Sequence, residues 1–109
     1  MAREFGVKAW EDFCKMYPHF SIQPHKADSA EVNHYYDELV AKKAKQWGET
    51  NFWTESARKY REKMLAEYAK GEAVPIADES RHYGHGSWGE DIELKLYSDG
   101  SFDYSQYVE

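Results

Sequence analysis

The sequence predicts an α+β fold in which three helices pack against a C-terminal antiparallel β-hairpin. Two patterns carry this reading. Apolar residues recur at three-four spacing in three tracts between residues 4 and 70, and Ile92, Leu94 and Leu96, then Phe102 and Tyr104, alternate with Glu93, Lys95 and Tyr97 and with Asp103 and Ser105. A Ser98-Asp99-Gly100 break divides the alternating tract into two strands. At 109 residues the chain is expected to be a single domain over 1–109: a helical part at 1–71, a Gly/Pro-containing connection at 72–89, and an acidic β-hairpin at 90–109.

The first helix is expected over about 4–17, where Phe5, Ala9, Phe13, Met16 and Tyr17 form a stripe flanked by Trp10 and Cys14. Pro18 ends it, because the residue before a proline is pushed out of the helical region. The alternation of Phe20 and Ile22 suits a short extra strand near 19–23.

The second helix is expected over 29–47. Asp28 and Glu31 have capping-box spacing, and Val32, Tyr36, Leu39, Val40 and Trp47 make its apolar stripe. Gly48 stops it. Thr50 or Asn51 can cap a third helix over 52–70, with Trp53, Ala57, Tyr60, Met64 and Tyr68 on one face and Gly71 as C-terminal punctuation. The short turn between these helices predicts an antiparallel pair.

Two strands follow, at about 90–97 and 101–108. A two-residue Asp-Gly loop would set Leu96 opposite Asp103 and split the apolar face. A three-residue loop with Gly100 left-handed instead pairs Leu96 with Phe102, Leu94 with Tyr104 and Lys95 with Asp103. The three-residue loop is therefore expected. Its apolar face must pack on helices, because a lone hairpin is marginal in water.

Composition bounds the function. There are 18 aromatic residues but only 12 Ile, Leu and Val, so rings must serve as core filler. One cysteine excludes an internal disulfide. No apolar run reaches the length of a membrane span, and Met1–Lys8 lacks the apolar segment of a signal peptide, so a cytoplasmic protein without a membrane partner is expected. The net charge of −6 comes from residues 72–109, which hold nine acids against two bases.

Several motifs invite chemistry. Gly84-His-Gly-Ser-Trp-Gly89 matches GxGxxG, but a strand follows it where a phosphate site needs a helix N-terminus, so it reads as a flexible loop. His82 and His85 are the residues from which a metal site would be built, with His19, His25 or Asp78 closing it. A glycine loop supplies little rigidity, and no metal or other cofactor is expected. His34 and Glu38 form a pair one helical turn apart, and the Lys42–Lys45 and Arg58–Lys63 clusters are interleaved with glutamates. No direct nucleic-acid contact is expected from such balanced faces, and no nucleophile motif suggests an enzyme.

The acidic C-terminal third is the most specific signal. Carboxylates mixed with aromatic rings suit a basic protein surface, where charge steers encounter and buried rings supply affinity. The expected contact residues are Trp88, Glu93, Tyr97, Asp99, Asp103 and Tyr107. The expected function is a protein-binding module that inhibits a basic, nucleic-acid-handling partner. Phage-encoded anti-defence (anti-CRISPR-like) and immunity-type proteins share these gross features. The alternatives are a homo-oligomeric subunit, a homodimer included, and a small metal-binding domain using His82 and His85.

Overall fold

The computed structural model describes residues 4–85 and 87–108. Three helices, α1 (Val7–Met16), α2 (Ser29–Trp47) and α3 (Phe52–Ala69), precede strands β1 (Pro75–His85), β2 (Trp88–Tyr97) and β3 (Phe102–Val108). The strands form one antiparallel sheet in the order β1-β2-β3. This is the expected α+β arrangement with a third strand added.

The helix ends follow local chemistry. Asp28 accepts the Glu31 amide at 2.9 Å, as its cap role requires. The reciprocal half of the capping box is absent, because the Glu31 carboxylate is taken by His25 Nε2. Asn51, rather than Thr50, caps α3 by accepting the Trp53 amide. Gly71 ends that helix with φ 91°, a left-handed conformation that glycine adopts without penalty.

The hairpin register is the one that the apolar alternation demands. Leu96 pairs with Phe102, Lys95 with Asp103 and Leu94 with Tyr104. Gly100 sits at φ 89° in the three-residue loop, and Asp99 Oδ1 accepts the Ser101 amide at 3.0 Å. Ser98, buried at the end of β2, receives the Val74 amide on Oγ and the Ala27 amide on its carbonyl. These bonds tie the loop to the chain before α2 and before β1.

Two expectations are corrected. Residues 72–89 are not a loose connection: Pro75–His85 is a strand paired along its length with β2, with a register break between Pro75 and Ala77. The glycines did not prevent pairing; Gly84 lies directly opposite Gly89 inside the ladder. Residues 19–23 form no strand. They lie against the sheet instead, where Ser21 donates to the Glu79 carboxylate through both its amide and hydroxyl, and Tyr83 donates to the Pro18 carbonyl.

The core lies on one face of the sheet, with aliphatic residues of the strands and α2 packed against a cluster of rings. Phe13 of α1 is fully buried, with ring centroids 4.8 Å from Tyr104, 5.4 Å from Trp10, 5.5 Å from Phe20 and 5.7 Å from Phe102. Each such pair contributes about 0.5–1.5 kcal/mol beyond its burial. Val32 and Tyr36 of α2 join the same cluster with Val74, Ile76, Ile92, Leu94 and Leu96. Tyr36 donates to the Pro75 carbonyl at 2.6 Å, so its hydroxyl is satisfied inside. Its pKa is pushed far up, by burial first and then by Tyr60 and Tyr35.

Both helices of the α2–α3 hairpin outrun the sheet. Nineteen residues make a helix about 28 Å long, and its buried residues run only from Val32 to Val40. Trp47 and Trp53, expected in the apolar stripes, are therefore 47% and 54% exposed beside Phe52 at 72%. The arm is held by Thr54, which donates to the Gly48 carbonyl at 2.7 Å, by Arg61 with Asp37 at 3.1 Å, and by Arg58 with Glu49 and Glu55. Those arginines, which as a sequence cluster could suggest a phosphate surface, are occupied within the hairpin.

Candidate functional site: the polar face of the sheet

Strand alternation sorts the side chains into two sets. Ala77, Glu79, Arg81 and Tyr83 of β1, Ile92, Leu94 and Leu96 of β2, and Phe102, Tyr104 and Gln106 of β3 are cross-strand partners on the helix-covered face. The opposite face carries three cross-strand rows: Asp78-Lys95-Asp103, Ser80-Glu93-Ser105 and His82-Asp91-Tyr107. Tyr97 extends this face beside Asp103. Among the described residues, none of these side chains belongs to the hydrophobic core.

Of the expected contact residues, Glu93, Tyr97, Asp103 and Tyr107 are thus brought onto one surface. Had residues 72–89 been a loop, they could have covered that surface; as β1 they widen it by one strand. Asp78, Ser80, His82 and Asp91 join it, and sequence reasoning did not place them there. The signal was present in the alternating Asp78-Glu-Ser80-Arg-His82, but it is polar on both faces and does not read as a strand. Beneath β1 the inward polar groups Glu79 and Arg81 serve the 18–21 segment rather than the core.

Trp88 and Asp99 are placed elsewhere. Trp88 begins β2 opposite His85, with the alternation of Ile92 and Leu94 rather than of Glu93 and Tyr97, and is 49% exposed. Asp99 is in the β2–β3 loop, where its carboxylate organises the turn and its backbone bridges to Lys26.

Two hydrogen bonds order the polar face. Tyr97 donates to Asp103 Oδ2 at 2.7 Å. His82 Nδ1 lies 2.7 Å from Asp91 Oδ1, directly across the β1–β2 ladder. The His82 ring rests over the bare α-carbon of Gly89; a Cβ there would meet it at 2.7 Å and the Tyr83 carbonyl at 3.3 Å. Gly89 is therefore a close-approach glycine within a strand and part of no phosphate cradle.

Two of the metal candidates, His82 and His25, are each engaged with a carboxylate: His82 with Asp91, and His25 with Glu31 as well as the Gln23 carbonyl. The side chain of His85 is outside the described residues. Among the described residues, no group of three His, Cys, Asp or Glu side chains has a metal-holding arrangement. Cys14 is half-buried on α1, and burial pushes its thiol up. Among the described residues, no helix is long and apolar enough to cross a membrane.

The surface is electrostatically one-sided. Asp78, Asp91, Glu93 and Asp103 surround a single lysine, Lys95, and two tyrosines present flat rings among the carboxylates. A partner with a basic surface would find complementary charge and rigid, low-entropy contact area on the same plane. No family model, no curated protein and no solved structure matches this chain.

Proposed function

We propose that the chain is a protein-binding module whose polar sheet face docks on a basic surface of a nucleic-acid-handling protein and blocks it. The observation that supports this reading is the placement of Asp78, Asp91, Glu93 and Asp103 around Tyr97 and Tyr107 on an open three-stranded face. Carboxylates spaced along strands can occupy the positions of phosphates in a basic groove, while the tyrosines supply the desolvated contacts that hold the complex. Inhibition in the manner of an anti-defence or immunity-type protein follows from occupying that groove, with no chemistry required of the module itself.

The test is capture of tagged protein's partners from nuclease-treated lysate at low and high salt, with two charge-matched variants alongside. Glu93→Gln with Asp103→Asn neutralises the face, and Glu62→Gln with Glu67→Gln removes the same charge from α3. A basic nucleic-acid-binding protein retained by the wild type and the α3 variant, but lost from the face variant and at high salt, supports the reading. A partner retained equally by all three, or none, refutes it.

A further inference from the structure

The two edges of the sheet are not equally protected. Unpaired edge strands are templates for pairing, and proteins guard them with charge, proline and bulges. β1 is guarded: Pro75 begins it, a register break follows, Asp78, Glu79 and Arg81 line it, and the 18–21 segment is bonded to it. β3 is not. Tyr104-Ser-Gln-Tyr-Val108 contains no charge, proline or glycine, and Tyr107 and Val108 are 60% and 65% exposed.

The direction of its free backbone groups follows from one contact. Phe102 accepts the Glu4 amide at 2.7 Å and donates to the Glu4 carbonyl at 3.1 Å, so its own amide and carbonyl point away from β2. Backbone groups alternate between edges along a strand. Those of Tyr104, Gln106 and Val108 therefore also point outward, while Asp103, Ser105 and Tyr107 bond β2. Among the described residues, nothing pairs with this edge beyond Phe102.

We propose that β3 is a self-complementary edge at which two copies of this chain pair antiparallel, joining their sheets into one of six strands. Because Glu4 already occupies Phe102, the register that uses every remaining outward group puts the two-fold axis on Gln106. Tyr104 then pairs with Val108 of the second copy in both directions, an aromatic–β-branched pair of the kind that stabilises sheets. The axis runs perpendicular to the sheet, so the helix-covered faces stay on one side and the polar faces merge on the other. Beside the edge, a cleft of about 400 Å³ lined by Phe13, Met16 and Tyr104 receives the Val108 side chain that the second strand turns inward there. Its rim carries Glu4, Lys8 and Asp12, charges of both signs. An interface of a few paired residues is small, and dimerisation in the micromolar range is expected.

This inference is independent of what the polar face binds. Sedimentation equilibrium of the intact chain from low to high micromolar concentration should show conversion from the 12.8 kDa monomer to a dimer. Gln106→Pro removes an amide that points away from β2, so the variant keeps its own sheet and should remain monomeric throughout. On unaltered protein, hydrogen exchange should slow several-fold at the Tyr104, Gln106 and Val108 amides as concentration rises, with Ser105 unchanged. A wild type that stays monomeric, or a dimer that leaves those three amides unprotected, overturns the proposal. So does a folded Gln106→Pro chain that still dimerises.

Discussion

The hydroxyl of Tyr97 lies 2.7 Å from Asp103 Oδ2 and donates to it across the hairpin. The bond couples the position of an aromatic contact to that of a carboxylate. Tyr97→Phe removes the donor and should cost about 0.5–1.5 kcal/mol in denaturant unfolding. Asp103→Asn keeps an acceptor and should cost less. Equal, negligible losses in both would mean that packing alone orients the ring.

The two well-placed glycines of the sheet should fail differently. Gly100 has a positive φ and room for a methyl group, so Gly100→Ala should cost about 1–2 kcal/mol through backbone strain alone. Gly89 has an ordinary φ but no room, so Gly89→Ala should expel the His82 ring and break its contact with Asp91. The His82 imidazole chemical shifts at one pH separate the cases: they should change in Gly89→Ala and stay as in the wild type in Gly100→Ala.

Stability should respond to pH at both ends of the range. Burial works to raise the Glu79 pKa, but the hydroxyl and amide of Ser21, with Arg81, outweigh it and hold the carboxyl below its usual 4.5. The stabilisation from Glu79 is therefore present above that value and is lost as pH falls through the lowered one. Glu79→Gln should flatten the acid limb of the unfolding profile. His25 is raised above 6.5, first by its bond to the Gln23 carbonyl and then by Glu31, against burial. Its contribution is complete below 6.5 and is lost as pH rises through the raised value. His25→Gln should remove that alkaline step and leave the acid limb untouched.

Aromatic residues that look alike in the sequence should differ widely in stability. Phe13 is buried among five rings, and Phe13→Ala should cost about 3–5 kcal/mol. Trp53, at the far end of the helical hairpin and edge-on to Phe52, should lose only about 0.5–1.5 kcal/mol as Trp53→Ser. Thermal unfolding of the two variants checks the contrast. A large loss at Trp53 would mean that the arm is packed in solution.

Much of this architecture is legible in single residues. Asp28, Asn51 and Gly71 mark helix ends because capping needs a side-chain acceptor or a left-handed residue at one position. The β2–β3 register follows from Leu94, Leu96, Phe102 and Tyr104, because a one-residue slip would turn an apolar set into water. Those signals are local, and the chain states them. β1 is not legible, because an edge strand wet on one face and serving polar groups on the other carries no apolar alternation. The exposure of Trp47 and Trp53 is equally hidden: helical periodicity gives a stripe, and only the length of the sheet beneath decides how much of the stripe is covered. The polar face shows the same division. The sequence by itself determined that acids and tyrosines alternate along β2 and β3. Only the tertiary structure decided that Asp78, Ser80 and His82 stand beside them, because cross-strand neighbours are set by pairing between segments that are distant along the chain.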